Sequence, residues 1–89
     1  MRYLAININY KLDQDWYCRC ASVPDCYKYF DSLGPGHGPR VAIYDIEEYK
    51  YLWIDENHLE NDKRLNGIVF GAMKKIGHLV QPERSQSTN

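Results

Sequence analysis

YLAININY, residues 3–10, alternates apolar and polar side chains with the period of a half-buried β-strand. One side of this stretch carries Leu4, Ile6, Ile8 and Tyr10, and the other carries Tyr3, Ala5, Asn7 and Asn9. The pattern predicts a first strand that turns its aliphatic side toward the core. The rest of the fold is built outward from this strand.

The segment that follows predicts a hairpin and then a helix. Residues 16–21 alternate again after a short polar link, which favours a second strand paired with the first. Ser22, with Asp25 three positions later, indicates a helix start, and Gly34 indicates its end. The first half of the chain therefore has the order ββα.

The second half predicts the same order. Residues 41–46 and 49–54 are rich in β-branched and aromatic residues, which favours a second hairpin. A helical stripe ending at Gly77 then comprises Leu65, Ile68, Val69, Ala72 and Ile76. The chain is thus predicted to be α+β, a two-layer sandwich with order ββαββα, a four-stranded antiparallel sheet and two helices on one face.

Length and composition restrict the class of protein. The 89 residues carry 11 Lys plus Arg against 12 Asp plus Glu, with three cysteines and eight tyrosines. This length supports one core, so we expect a single domain over 1–80 and a disordered tail over 81–89. A net charge of −1 disfavours a generally basic nucleic-acid binder. No stretch approaches the ~20 apolar residues of a membrane span, and an odd number of cysteines fits reduced thiols in a cytoplasmic protein.

Aromatic residues are predicted to cover the sheet face that the helices leave open. Placing Leu52 and Ile54 in the core forces alternate residues of the fourth strand outward, and strands one and two add to them. This predicted binding surface comprises Tyr3, Tyr17, Arg19, Tyr49, Tyr51 and Trp53. Aromatic residues with Arg are typical of interface centres. The tyrosines could instead only stabilise the sheet by cross-strand pairing, and strand three, apolar on both sides, does not decide which of its sides faces inward.

Acidic residues concentrate between positions 45 and 62, where seven acids accompany one lysine, Lys50. The predicted acidic docking surface comprises Asp45, Glu47, Glu48, Asp55 and Glu56. Such a surface would fit a basic site of a partner protein and occupy ground that nucleic acid otherwise uses. For the acids near the start of the second helix, the helix dipole offers an alternative explanation.

Gly67 and Gly71 lie four residues apart in the second helix, on the side away from its apolar stripe, with Phe70 nearby. Each interior glycine costs about 1 kcal/mol relative to alanine, so a close neighbour is expected there. Either the first helix lies across this surface or a second copy of the chain does. Gly67, Phe70 and Gly71 are therefore the predicted oligomer face.

The glycine-rich loop before strand three is the candidate anion site, formed by Gly36, His37, Gly38 and Arg40. Its backbone N–H groups and guanidinium could hold a phosphate, although a plain connection of turn residues is the alternative. The three cysteines Cys18, Cys20 and Cys26 lack the spacing of a metal site, and no catalytic constellation is evident. No cofactor, metal or catalytic residue is predicted.

These features predict a small, tyrosine-rich binding or inhibitor protein without enzymatic activity. It is expected to act through the aromatic face and the acidic hairpin, as a homo-oligomer bound to another protein. The alternative is a module that sequesters a nucleotide or other phosphate ligand at the loop, at a subunit boundary. Nucleic acid fits less well as a partner, and no membrane partner is expected.

Overall fold

The structure, a computed structural model, describes residues 1–77. The predicted tail over 81–89 and the end of the predicted domain at residue 80 lie outside the described residues. The elements are β1 (Tyr3–Asn9), β2 (Gln14–Cys20), α1 (Val23–Asp31), a 3-10 turn (Pro35–His37), β3 (Arg40–Asp45), β4 (Lys50–Ile54) and α2 (Lys63–Lys75). The α+β class and the order ββαββα are confirmed.

The four strands form one sheet with the spatial order β2-β1-β3-β4, and all neighbours are antiparallel. This confirms the predicted four-stranded antiparallel sheet. Since β2 and β3 both run antiparallel to β1, they are parallel to each other, and α1 connects them across β1. β2 and β4 form the two edges of the sheet.

The two helices pack on opposite faces of the sheet. Leu4, Ile6 and Ile8 of β1 pack with residues of α2, among them Leu65 and Val69. Ala5, between Leu4 and Ile6, packs instead with residues of α1, Cys26 and Phe30. Neighbouring residues of a strand point to opposite faces, so the sheet is the middle of three layers. The expectation of two layers with both helices on one face is not met.

β1 has the alternating pattern of a strand with one solvent-exposed face, although its polar residue Asn7 is buried. Its side chain is fully buried on the α1 face. The Nδ2 group donates to the carbonyl of His37 at 2.7 Å, and Tyr29 Oη donates to Oδ1 at 2.9 Å. A buried amide with its hydrogen bonds satisfied is tolerated in a core. A polar residue therefore occupies a position where the sequence pattern predicts exposure.

Two β-bulges change which side chains face each helix. Between β1 and β3, Ile6 pairs with Ala42 and Asn7 with Arg40, so Val41 is the extra residue. Between β3 and β4, the register skips one residue at Leu52 in the same way. Each extra residue reverses the alternation of the residues beyond it.

Each helix begins at a residue whose side chain caps it. Ser22 Oγ accepts a hydrogen bond from the backbone N–H of Asp25 at 3.2 Å and begins α1. Asp62 Oδ1 accepts from the N–H of Leu65 at 2.9 Å and begins α2. Neither helix in residues 1–77 combines the length and apolar character needed to cross a membrane.

Candidate functional site

The residues of the predicted aromatic surface do not share a face. Tyr17 and Tyr51 pack against the core beneath α2, whereas Tyr3 and Trp53 pack against the core beneath α1. Tyr49 lies in the turn between β3 and β4, with a φ of 55°. The predicted row of aromatic side chains along β4 is therefore absent, because helices cover both faces and Leu52 forms a bulge. A role of these residues in binding stays a prediction.

The partly buried tyrosines of β3 and β4 serve the packing of the sheet. The rings of Tyr44 and Tyr51 meet edge to face with their centroids 4.9 Å apart. Tyr51 Oη donates to Asn66 Oδ1 of α2 at 2.6 Å. Burial raises the pKa of both tyrosines above the ordinary value of a phenol. Arg19, the remaining member of the predicted surface, is exposed and donates to the carbonyl of Met1 at 2.9 Å.

Asp45, predicted as a docking residue, is 1% exposed and closes the β3–β4 turn. Arg2 donates from Nε and Nη2 to its two carboxylate oxygens at 3.0 and 2.8 Å. The backbone N–H groups of Glu47 and Glu48 donate to Oδ1 at 3.0 and 3.2 Å. The hydrogen bonds from Arg2, and then those from the turn, lower the pKa of Asp45. Asp45 therefore presents no carboxylate to a partner.

The other members of the predicted acidic docking surface lie at opposite ends of β4. Glu47 and Glu48 are exposed in the turn before the strand, whereas Asp55 and Glu56 follow its last residue. Five strand residues separate the two groups by about 16 Å. At the turn, Glu47 faces Arg2 Nη1 at 3.6 Å, and Lys50 adds a second positive charge. The predicted acidic surface is two separate patches, and at the turn the two bases Arg2 and Lys50 offset two of the three acids.

A surplus of acids lies at the end formed by the β1–β2 turn, the β4–α2 loop and the start of α2, residues 10–15 and 55–64. We call it the acidic end. Tyr10 Oη and His58 Nε2 are 2.7 Å apart and join the turn to the loop. Arg64 of α2 donates to Asp13 and, at 3.4 Å, to Asp15. The acidic end contains six carboxylates, Asp13, Asp15, Asp55, Glu56, Glu60 and Asp62, and three basic residues, Lys11, Lys63 and Arg64.

Three large apolar side chains are exposed at the acidic end. Tyr10 is 51% exposed, Leu12 57% and Leu59 69%. Glu56 and Glu60 flank Leu59 in the loop and are exposed, with no ion pair to any side chain within residues 1–77. Sequence reasoning missed Leu12 and Leu59. Their signal was available, because each is a single large apolar residue in an otherwise polar connection.

The glycine-rich loop packs against β1 and β2. The carbonyl of Gly36 accepts from Asn9 Nδ2 at 2.7 Å, and the His37 ring lies 5.0 Å from that of Trp16. Gly38 has a φ of 75°, and a Cβ at that position would lie 2.4 Å from the carbonyl oxygen of Ile8. Close approach of two backbones therefore explains this glycine without a ligand.

Arg40, the charged member of the candidate anion site, contacts an aromatic ring of the same chain and also lines a surface cavity. Its guanidinium lies 5.8 Å from the ring centroid of Tyr27. It also lines a cavity of about 270 Å³ together with Asp31, whose carboxylate disfavours an anion there. Phosphate binding by Gly36, His37, Gly38 and Arg40 stays a prediction.

The glycine pair of α2 faces open space. A Cβ added at Gly67 or Gly71 would meet no atom of another element of residues 1–77 within 4 Å. The first helix cannot be the expected neighbour, because α1 lies on the other face of the sheet. The two glycines instead line a groove of about 470 Å³ between α2 and Tyr17 of β2. Phe70 is exposed but does not line this groove.

The three cysteines are free thiols. Cys20 and Cys26 are buried in the core beneath α1, and Cys18 packs against them. Burial is the main cause that raises the pKa of Cys20 and Cys26, so both stay protonated and poorly nucleophilic at neutral pH. Both thiols therefore act as apolar core residues.

Comparisons with protein families, with curated proteins and with solved structures gave no match.

Proposed function

We propose that this protein is a small binding or inhibitor protein that docks through its acidic end onto a basic site of another protein. One observation supports this most directly: exposed Tyr10, Leu12 and Leu59 lie at the same end of the molecule as the surplus of carboxylates. An apolar centre with a polar rim is the usual composition of a protein–protein interface. The acidic end has this composition.

The charge of the acidic end favours a basic partner. Glu56 and Glu60 flank Leu59, and their carboxylates are not neutralised by ion pairs within the described part of the chain. Complementary charge increases the rate of encounter and selects the partner. Basic protein surfaces commonly bind the phosphate backbone of nucleic acid. A protein docked there through its acids would exclude nucleic acid from the same surface.

The β4–α2 loop presents Leu59 in a defined position. His58 is held at Tyr10, and its backbone N–H donates to the carbonyl of Asp55 at 2.9 Å. The N–H of Asp62 donates to the carbonyl of Leu59 at 3.0 Å. Asn66 Nδ2 of α2 donates to the carbonyl of Glu60 at 2.8 Å. An ordered loop loses less conformational entropy on binding, which favours its use as a contact.

Site-specific photo-cross-linking in an extract tests the proposal. A photoreactive amino acid replaces Leu59 in one variant and Phe70 in a matched control, since Phe70 is also exposed but lies on α2 away from the acidic end. We expect one adduct with another protein from position 59 only. Added nucleic acid should compete for this adduct, and Glu56→Lys with Glu60→Lys should abolish it.

Two results would contradict the proposed function. One is an adduct that forms equally well from position 70. The other is an adduct from position 59 that neither nucleic acid nor the two charge reversals reduce. An adduct between two copies of this chain is recognised by its mass and does not count as support.

A further inference from the structure

The outer side of β2 is an unprotected sheet edge. β2 pairs with β1 along all seven of its residues without a register shift, and no strand within residues 1–77 pairs with its other side. The opposite edge, β4, has five residues and a bulge at Leu52. Bulges and short strands protect an edge from pairing with another chain, and β2 has neither. β2 is therefore the edge that is open to a further strand.

The charges of β2 are arranged symmetrically about its centre. Asp15 and Arg19 lie two residues before and two residues after Tyr17, and all three point to the α2 face of the sheet. We propose that β2 pairs antiparallel with β2 of a second copy of this chain, about a two-fold axis at Tyr17. Asp15 then lies opposite the partner's Arg19, and Arg19 opposite the partner's Asp15.

This register is the one that the charges select. Directly opposed residues of antiparallel strands have Cβ atoms about 5 Å apart, which is within reach of an Asp–Arg ion pair. Shifting the axis by one residue in either direction separates Asp15 from Arg19 of the other copy. Arg64 lies closer to Asp13 than to Asp15, which it contacts at 3.4 Å. The Asp15 carboxylate can therefore also form an ion pair with Arg19 of the second copy.

The apolar residues of β2 fit the same pairing. Tyr17 lies opposite the partner's Tyr17 on the α2 face, and Trp16 lies opposite the partner's Cys18 on the α1 face. Trp16, Tyr17 and Cys18 are only partly buried in the single chain. Aromatic cross-strand contacts stabilise paired strands, so the pairing buries side chains that one copy leaves half covered.

The groove beside α2 becomes part of the interface region. It lies between β2 and the glycines Gly67 and Gly71, with Tyr17 in its wall. Joining the two β2 strands places the groove of each copy next to that of the other, across the two tyrosines. The open space at the glycine pair therefore faces a second copy across the extended sheet, whereas the sequence predicts direct contact at Gly67, Phe70 and Gly71.

This inference does not depend on the proposed function. Leu59, Glu56 and Glu60 lie outside β2, and neither their substitution nor the loss of an outside partner should change the pairing of copies. Asp15 also belongs to the acidic end, so its reversal adds positive charge there. Arg19 lies outside the acidic end, and Arg19→Asp therefore tests the pairing without changing a residue of the proposed docking surface. The two proposals can therefore fail separately.

Sedimentation velocity of the full chain tests the pairing. The wild type is expected at twice its mass of 10.5 kDa. Asp15→Arg alone and Arg19→Asp alone should each weaken the dimer at least about tenfold, because each reversal sets like charges opposite each other at both ends of the interface. Mixing these two variants in equal amounts should restore a dimer, since every opposed pair in the mixed species is again of opposite sign.

The matched control is Glu47→Lys with Glu48→Lys, which reverses two exposed charges away from β2. This variant should sediment as a dimer, like the wild type. Far-ultraviolet circular dichroism tests whether each variant is folded. Restoration of the dimer in the mixture would be independent evidence that both variants are folded. A wild type of 10.5 kDa at about 100 μM, a concentration at which typical specific interfaces are saturated, would overturn the proposal. So would a dimer that neither reversal weakens, or two weakened variants that fail to associate when mixed.

Discussion

Tyr51 and Trp53 stand two positions apart in β4 and point to opposite faces of the sheet. Tyr51 pairs with Tyr44, and Trp53 pairs with Ile43, so that the intervening Leu52 has no opposed residue. Leu52 is 44% exposed, whereas Tyr51 and Trp53 each pack against a different core cluster. One extra residue thus divides the aromatic side chains of β4 between the layers of α1 and α2.

This division determines where a partner can bind. With both faces of the sheet covered by helices, the aromatic residues of β4 contribute to two cores instead of to one open surface. What remains exposed is the ends and edges of the sheet. The acidic end and the β2 edge are the two of these regions at which we propose that a partner binds.

A first prediction concerns Gly38, whose φ of 75° places it close to the backbone of Ile8. Gly38→Ala should lower the free energy of unfolding by more than about 2 kcal/mol, because the added Cβ meets backbone atoms and the conformation is unfavourable for other residues. Urea denaturation measures the change. Gly36→Ala is the control, since a Cβ there would meet no described residue within 4 Å and the φ of Gly36 is not positive. A Gly38→Ala protein as stable as the Gly36→Ala protein would contradict this account of the loop.

A second prediction concerns the glycine pair of α2. Gly67→Ala and Gly71→Ala should each raise the free energy of unfolding by about 0.5–1 kcal/mol, since alanine favours the helix and its methyl group meets no neighbour in the part of the chain that the structure describes. Urea denaturation at low protein concentration measures the single chain. A loss of stability in either variant would show that another part of the chain occupies the groove.

A third prediction concerns the ion pair between Arg2 and Asp45. Because the native state lowers the pKa of Asp45, its charged form stabilises the fold above the pKa of the unfolded chain. That stability is lost as the pH falls through the native pKa. The stability difference between the wild type and Asp45→Asn should therefore be largest near neutral pH and narrow below about pH 4.

Urea denaturation at several pH values tests this pH dependence. Glu48→Gln is the control, because the Glu48 side chain is exposed and makes no ion pair within the described chain. Its stability difference from the wild type should stay nearly constant over the same range. A difference for Asp45→Asn that is equally independent of pH would show that Arg2 does not hold the carboxylate charged.

The sequence could predict the elements and the two hairpins for physical reasons, but not the pairing of β1 with β3. Period-two alternation in residues 3–10 and capping at Ser22 are local signals, and hairpin connections leave little choice of neighbour. The faces of the sheet could not be predicted in the same way. Asn7 is buried through hydrogen bonds to residues about 20 to 30 positions distant, a non-local arrangement invisible to pattern. The bulge at Leu52 likewise depends on how β3 and β4 pair.

The candidate sites likewise depend on contacts between residues that are distant in sequence. Asp45 belongs to an acidic run in sequence, yet Arg2, 43 positions earlier, neutralises it. Leu12 and Leu59 are distant in sequence, and the contact between Tyr10 and His58 brings their connections together. Surface charge could therefore be counted from composition but not located. Gly67 and Gly71 were identifiable as unusual, although the absence of a neighbour became clear only when α1 was placed on the other face.

The central claim is that the acidic end binds a basic partner. It is tested most directly by calorimetric titration, at several salt concentrations, of the purified partner that cross-linking identifies. Glu56→Lys with Glu60→Lys should weaken its affinity more than about tenfold and reduce its dependence on salt, whereas Glu47→Lys with Glu48→Lys should change it less than about twofold. Equal losses in the two double variants, or a loss only in the second, would contradict the claim.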